Sequence, residues 1–190
     1  MKILIVNDDS IHAPGIVYLA RAAAQLGDVY VVAPADQCSA MSQKLTIREN
    51  LVVRKHEDFD APVRGAWSVS GTPVDCVKVA LLYILEEKPD LVLSGVNNGY
   101  NVGFDTAYSG TMGAALEGAR SGIPSIALST AHESHLAAVE PHLLSTLRQV
   151  LEKPLAPGEL WNVNFPGLKN RPLEGILWDR PMARVSMFTE

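Results

Sequence analysis

The sequence is short of several things, and each shortage removes a class of function. Of its 190 residues only two are cysteine, Cys38 and Cys76. Two are too few for a disulfide scaffold and wrongly spaced for a zinc site, so a reducing compartment and core thiols are expected. Basic residues are also scarce: 16 Lys and Arg stand against 21 Asp and Glu, a formal charge of -5. That balance argues against a broad electropositive face for tracking a nucleic-acid duplex. Any phosphate held here must be held locally, by main-chain amides or a metal. No apolar run approaches the ~20 residues that span a bilayer. The opening Met1-Lys2-Ile3-Leu4-Ile5-Val6 runs straight into acidic residues, without the long apolar stretch and cleavage site of a signal peptide. A soluble, cytoplasmic protein with no membrane partner is the expectation. Two familiar catalytic motifs are missing as well. The glycines from Gly95 to Gly103 lack the Gly-Lys-Ser/Thr ending of a P-loop, and no Gly-x-Ser-x-Gly elbow occurs. The five histidines, at positions 12, 56, 132, 135 and 142, show no ligand spacing except at His132 and His135, which sit in a polar stretch.

What the chain does have is apolar material in the right places. With 47% hydrophobic and 19% charged residues it can bury a sizeable core, and its length suits one domain over residues 1–190. Ile3 to Val6 is a short β-branched run ended by Asn7-Asp8-Asp9-Ser10, which predicts a strand buried on both faces and hence a parallel sheet. Ile16, Leu19, Ala20, Ala23 and Leu26 recur at helical spacing up to Gly27, and Val29 to Ala33 reads as a second buried strand. Leu51 to Arg54 and Trp67 to Ser70 read as an inserted pair of short strands. Thr72-Pro73-Val74-Asp75 is a helix start, with a capping hydroxyl, proline in the first turn and a carboxylate at the third position. The alternation continues through Leu91 to Leu93, a helix from about Thr111 to Arg120, Ser125 to Leu128, a helix over Leu136 to Val150, and Trp161 to Asn164. An edge strand is expected over Ala183 to Phe188. The pattern is that of a three-layer α/β sandwich, a fold that binds ligands beyond the carboxyl ends of its strands.

Three stretches at that edge carry chemistry. Asp8 and Asp9 leave the first strand together; adjacent carboxylates repel unless solvent or a cation intervenes, and hard oxygen donors suit Mg²⁺, Mn²⁺ or Ca²⁺. The plainer alternative is that one caps the next turn and the other is solvated. Ser94 to Gly103 holds three asparagines and three glycines in ten positions, which suits a binding loop following directly from a buried strand. Ser109-Gly110-Thr111 opens a helix with hydroxyls and glycine, presenting unpaired amides and the positive end of the helix dipole to an anion; an ordinary cap is the alternative. Together these point to a metal-bridged phosphate.

The same residues resemble a known family. Asn7-Asp8-Asp9, Ala33-Pro34 with Ser39, Gly71 to Val77, and the run SGVNNGYNVGFDTAYSGTMGAALEG from Ser94 to Gly118 are similar to the motifs of the SurE nucleotide phosphatases, over Met1 to about Pro166. The resemblance implies a Rossmann-like core, mostly parallel, and a metal-dependent phosphomonoesterase acting on nucleoside 5′- and 3′-monophosphates, sometimes on short polyphosphate. It implies one divalent cation, Mg²⁺ or Mn²⁺, on Asp8, Asp9, Ser39 and Asn97, with phosphate contacts at Asn101, Ser109, Gly110 and Thr111. Asp8 and Asp9 are the implied catalytic pair, Asp8 serving as base toward a water or as nucleophile. Ser10 and Ala40 stand where members usually have glycine, and Gln37-Cys38 replaces the usual basic residue before Ser39. The C-terminal segment that family members exchange between subunits is expected to be curtailed here, and a homodimer or tetramer is the expected assembly if that segment is not essential to it. Two other functions share parts of this pattern. A signalling receiver domain fails because the strand ends offer Ser94 and Ser129-Thr130 instead of Asp and Lys; a nucleotide-binding protein of the same fold without catalysis stays open.

Overall fold

Ile3, Leu4, Ile5 and Val6 have no polar atom to leave in water, and all four are fully buried. In the computed structural model, which describes residues 1–131, 135–167, 173–184 and 186, they form β1 (Lys2–Val6) in the middle of a seven-stranded sheet. The remaining elements follow in order. They are α1 (Pro14–Ala23), β2 (Asp28–Pro34), β3 (Val53–His56), β4 (Gly65–Val69) and α2 (Pro73–Val79), which runs on into one π-helical turn (Ala80–Ile84). Then come β5 (Leu91–Asn98), a 3-10 turn (Gly103–Ala107), α3 (Gly110–Arg120), β6 (Ser125–Thr130), α4 (Leu136–Leu151) and β7 (Trp161–Phe165). Strand order is β3-β4-β2-β1-β5-β6-β7. Every neighbouring pair is parallel except β3 with β4.

The pleat sorts side chains into two layers. Ile3 and Ile5 of β1, Val29 and Val31 of β2, and Leu91 and Leu93 of β5 face a cluster completed by Ile16 and Leu19 of α1 and Leu143 and Leu147 of α4. Leu4, Val6, Val32 and Val92 face the other way, onto Cys76 and Val77 of α2 and Ala114 of α3. The sheet is apolar on both faces because helices cover both, as parallel sheets require. The connections β1-α1-β2, β4-α2-β5 and β5-α3-β6 share one hand. The connection β6-α4-β7 moves outward on the same side as β5-α3-β6 but carries its helix on the opposite face, and so has the opposite hand. Parallel crossovers are overwhelmingly right-handed, so this last unit is the topological exception.

The sequence expectations hold with local adjustments. The two short strands are β3 and β4, and they extend the main sheet, β4 lying parallel to β2 and β3 forming an antiparallel edge. α1 stops at Ala23, earlier than the apolar spacing suggests. The chain tightens through Gln25 N to Ala22 O and Leu26 N to Ala23 O, so Leu26 keeps its contact with the core after the helix has ended. Of the strand expected over Ala183 to Phe188, residues 185, 187 and 188 lie outside the described residues, and 183, 184 and 186 are not in a strand. His132 also lies outside them. Among the described residues no helix is long and apolar enough to cross a membrane.

Leu143, fully buried where α4 meets the α1 side of the sheet, tests this packing. Leu143→Ala is expected to lower the unfolding free energy by about 2–5 kcal/mol, read from the urea midpoint with an unchanged slope. A loss under about 1 kcal/mol would contradict a packed α4 layer.

Candidate functional site

From β1 the chain moves outward one way to β2 and β4; β5, β6 and β7 lie the other way. The connections that leave the carboxyl ends of the paired strands β1 and β5 therefore run in opposite directions, and open α/β sheets form their crevice where this happens. Asp8 and Asp9 leave β1 there, and Asn97 and Asn98 end β5. The two are joined directly, the Asn98 N–H donating to Asp9 Oδ2 at 3.0 Å. β5 reaches this point through a bulge. Its register with β6 shifts between Ser94 and Asn97, with Gly95 at φ +135° taking a conformation open to glycine. Asn97 Nδ2 donates to Gly99 O at 2.8 Å, which leaves Oδ1 as the end of the amide able to ligate.

Asp8 is only 5% exposed. The Thr111 hydroxyl donates to its Oδ1 at 2.6 Å. Gly110, first residue of α3, lies so close that an added Cβ would sit 2.9 Å from Asp8 Cβ and 3.1 Å from Oδ2, so only glycine lets the helix end approach. Ser109 caps α3 by accepting from Met112 N at 3.1 Å. The carboxylate of Asp8 thus lies beside the start of α3. Burial pushes that carboxyl up to about 6; the Thr111 bond opposes the rise and the neighbouring Asp9 charge adds to it. The turn beneath is strained. Asn7 Nδ2 holds Ser10 O at 2.7 Å while Ser10 sits at φ +94°, and Ala40 sits at φ +55°. Side chains at positive φ of this kind cost on the order of 1 kcal/mol or more.

Ser39 is brought to the same place by its neighbour, the Cys38 N–H donating to Asp8 O at 2.7 Å. Ser39 is exposed, with Oγ accepting from Gln37 Nε2 at 3.1 Å. Cys76 is a core thiol, as expected. Cys38 is not: its main chain is pinned to the end of β1, which leaves the side chain half-buried in the loop with Sγ 3.7 Å from Gly71 O. The loop then crosses the α3 entrance, where Ser42 donates through N to Tyr108 O (2.9 Å) and through Oγ to Ala107 O (2.8 Å). Its far end is anchored by Asp75. This buried carboxylate completes the capping box of α2 with Thr72, as its spacing indicated, and also accepts from Thr46 N (3.0 Å) and Thr46 Oγ1 (2.6 Å). The helix-start motif gave no sign of that second task.

Asn101 lies toward β6 and β7. Its Nδ2 donates to Ser129 Oγ at 2.7 Å, and its main chain is bonded by Asn162 and Asn164 of β7. In the sequence those two asparagines mark only part of a strand. The structure thus gathers Asp8, Asp9, Ser39, Asn97 and the Ser109-Gly110-Thr111 start around one sheet edge and holds Asn101 at its β6–β7 side. No cluster of three or more His, Cys, Asp or Glu side chains occurs among the described residues; the candidate donors are two carboxylates, a hydroxyl and an amide.

Comparisons with known proteins bear on this arrangement. The family model described as Survival protein SurE matches residues 3–187. The chain is 44% identical over 182 residues to the 5′-nucleotidase SurE 2 of Chlamydia caviae, covering 90% of this chain and 63% of that protein. It is 44% identical over 186 residues to the 5′-nucleotidase SurE of Methylobacterium nodulans, covering 93% and 70%. A solved structure, the SurE protein from Aquifex aeolicus, superposes with a TM-score of 0.77 at 40% identity, covering 88% of this chain and 67% of that one. The chain spans about two thirds of the length of the curated relatives it matches.

The burial of Asp8 predicts a pH dependence of stability. Its carboxyl is raised from 3.8 to about 6 in the folded chain, so the protonated form is favoured by folding. Stability is greatest below the ordinary value and falls as pH rises through 6, by on the order of 2–3 kcal/mol. With divalent ions chelated, Asp8→Asn is expected to flatten this fall and to be about 2–3 kcal/mol more stable than the parent at pH 7.5 and close to it near pH 4. Urea unfolding at both pH values measures it; identical pH slopes would contradict a desolvated Asp8.

Proposed function

Because this chain belongs to the SurE family, we propose that it is a phosphoric monoester hydrolase. Its substrates are nucleoside 5′- and 3′-monophosphates and short polyphosphate, and its cofactor is one divalent cation, Mg²⁺ or Mn²⁺. The observation that carries this reading is the buried Asp8 carboxylate, paired with Asp9 and lying against the start of α3, where Thr111 donates to it at 2.6 Å. Two adjacent carboxylates repel each other, and where one is buried away from solvent a cation between them relieves that repulsion. The candidate donors at this edge are all oxygens, which a hard divalent ion takes. The donor set therefore fits the cation, and Asp8, Asp9, Ser39 and Asn97 are the residues that would hold it. When bound, the cation polarises the phosphoryl group and offsets the charge developing on its oxygens.

The chain's own residues supply the rest. Gly110 and Thr111 open α3, where N–H groups have no partner within the helix. With Ser109 and Asn101 they are the proposed contacts of the phosphate oxygens, stabilising negative charge without any Lys or Arg. Asp8, oriented by the Thr111 hydroxyl, takes the proton of an attacking water or attacks phosphorus itself, and trapping of an aspartyl-phosphate separates the two. The proposed assembly is a homodimer or tetramer, which light scattering reads directly.

Phosphate release from adenosine 5′-monophosphate tests the reading. The chain is expected to turn over with Mn²⁺ or Mg²⁺ and to stop with EDTA. Asp8→Asn is expected to lose about 100-fold or more in kcat/KM with an unchanged circular dichroism spectrum. Near-normal turnover by that variant refutes the role of Asp8. Nucleotide binding without phosphate release would make the protein a binding protein only.

A further inference from the structure

The segment between Asn98 and Ser109 crosses from β5 to α3 with no neighbouring strand of its own, yet Asn101 within it is 4% exposed. A buried main-chain N–H and C=O must find partners, and both find them on side chains of β7. Asn101 N donates to Asn164 Oδ1 at 2.9 Å, and Asn164 Nδ2 donates back to Asn101 O at 3.1 Å. One carboxamide thus does for Asn101 what an adjacent strand would do. Asn162 Nδ2 adds a second donor to the same carbonyl at 2.8 Å. Its Oδ1 accepts from Asn164 Nδ2 at 3.1 Å and so orients that amide. The two asparagines stand two apart on β7, on the face turned away from Trp161, Val163 and Phe165, which pack with the α1/α4 layer. The segment is seated further by Gly99 N on Thr130 O (2.9 Å) and by Gly167 N on the Tyr100 hydroxyl (3.0 Å).

We propose that Asn162 and Asn164 are positioning residues for the phosphate site. They fix the main chain of Asn101, and with it the course of the segment that joins Asn97 to Ser109. Both act through Asn101, to which their side chains are bonded. The inference rests on the reading of this edge as a phosphate site, and it orders the two residues: Asn164 makes two bonds to the Asn101 main chain and Asn162 one.

Three measurements on the chain as it stands test this. In Asn164→Ala, hydrogen exchange at the Asn101 amide is expected to accelerate about ten-fold or more. The KM for adenosine 5′-monophosphate and the dissociation constant for inorganic phosphate with Mn²⁺ are expected to rise about ten-fold while kcat stays within about three-fold. Asn162→Ala is expected to rise only about three-fold, because Asn101 O keeps its bond to Asn164. Leu143→Ala, destabilised at a distance, serves as the control and leaves KM unchanged. Faster exchange with unchanged KM and phosphate affinity overturns the positioning role, and unchanged exchange overturns the tether itself. A parent chain that binds phosphate but releases none from nucleotides refutes the hydrolase reading alone, since the exchange and phosphate-binding arms do not depend on turnover. A parent that binds no phosphate overturns both.

Discussion

A carboxylate removed from water at the end of a central strand is the constraint around which this molecule is arranged. Asp8 is buried because the start of α3 lies on it, and α3 can lie there because Gly110 has no side chain and Thr111 offers a hydroxyl in place of the lost water. Desolvating a carboxylate is costly unless hydrogen bonds or an opposite charge compensate. The Thr111 bond compensates in part, and the residual cost appears in the raised affinity of Asp8 for a proton. Placing Asp9 next in the chain increases that cost. Such a pair creates a local demand for positive charge, which is the demand the proposed cation would meet.

The rest of the architecture brings remote segments to this point. The opposite courses of the chain after β1 and β5 open the crevice, the bulge in β5 sets Asn97 and Asn98 at its lip, and the Asn98 N–H joins them to Asp9. Two long loops complete the edge, and neither pairs with a neighbouring strand at the residues it brings there. The loop bearing Ser39 is fastened at one end by Cys38 on Asp8 and at the other by Asp75, whose carboxylate serves a helix cap and Thr46 at once. The loop bearing Asn101 is fastened by asparagines of β7. Polar side chains acting as surrogate main chain are the shared device, and they let irregular segments be both buried and satisfied.

Much of this was legible in the sequence because it is local. Apolar runs at Ile3–Val6, Val29–Ala33 and Leu91–Leu93 mark buried parallel strands. Thr72 with Asp75 marks a helix start, and the positions of Asp8, Asn97 and Ser109 just after strands or before a helix put them at one edge. What was not legible is long-range. The bonds from Asn101 to Asn162 and Asn164 join residues more than sixty apart, and no spacing rule reaches that far. The opposite hand of β6-α4-β7 leaves no trace in an alternation of strands and helices, since either hand has the same pattern of periods. Ser10 and Ala40 hold positive φ without the glycine that the family pattern supplies there. Sequence flagged the substitutions, and the structure keeps the backbone shape in spite of them. Cys38 departs from the core thiol expected of it because a main-chain bond to Asp8, and not burial of the thiol, positions its loop.

Direct titration with Mn²⁺, followed by calorimetry on the chain freed of metal, addresses the core of the account without relying on any substrate. One saturable site per chain, absent in Asp9→Asn, is the predicted result. Heat that never saturates, or an unaltered site in that variant, would show that the carboxylate pair is compensated in some other way and would remove the basis for the chemistry assigned to this sheet edge.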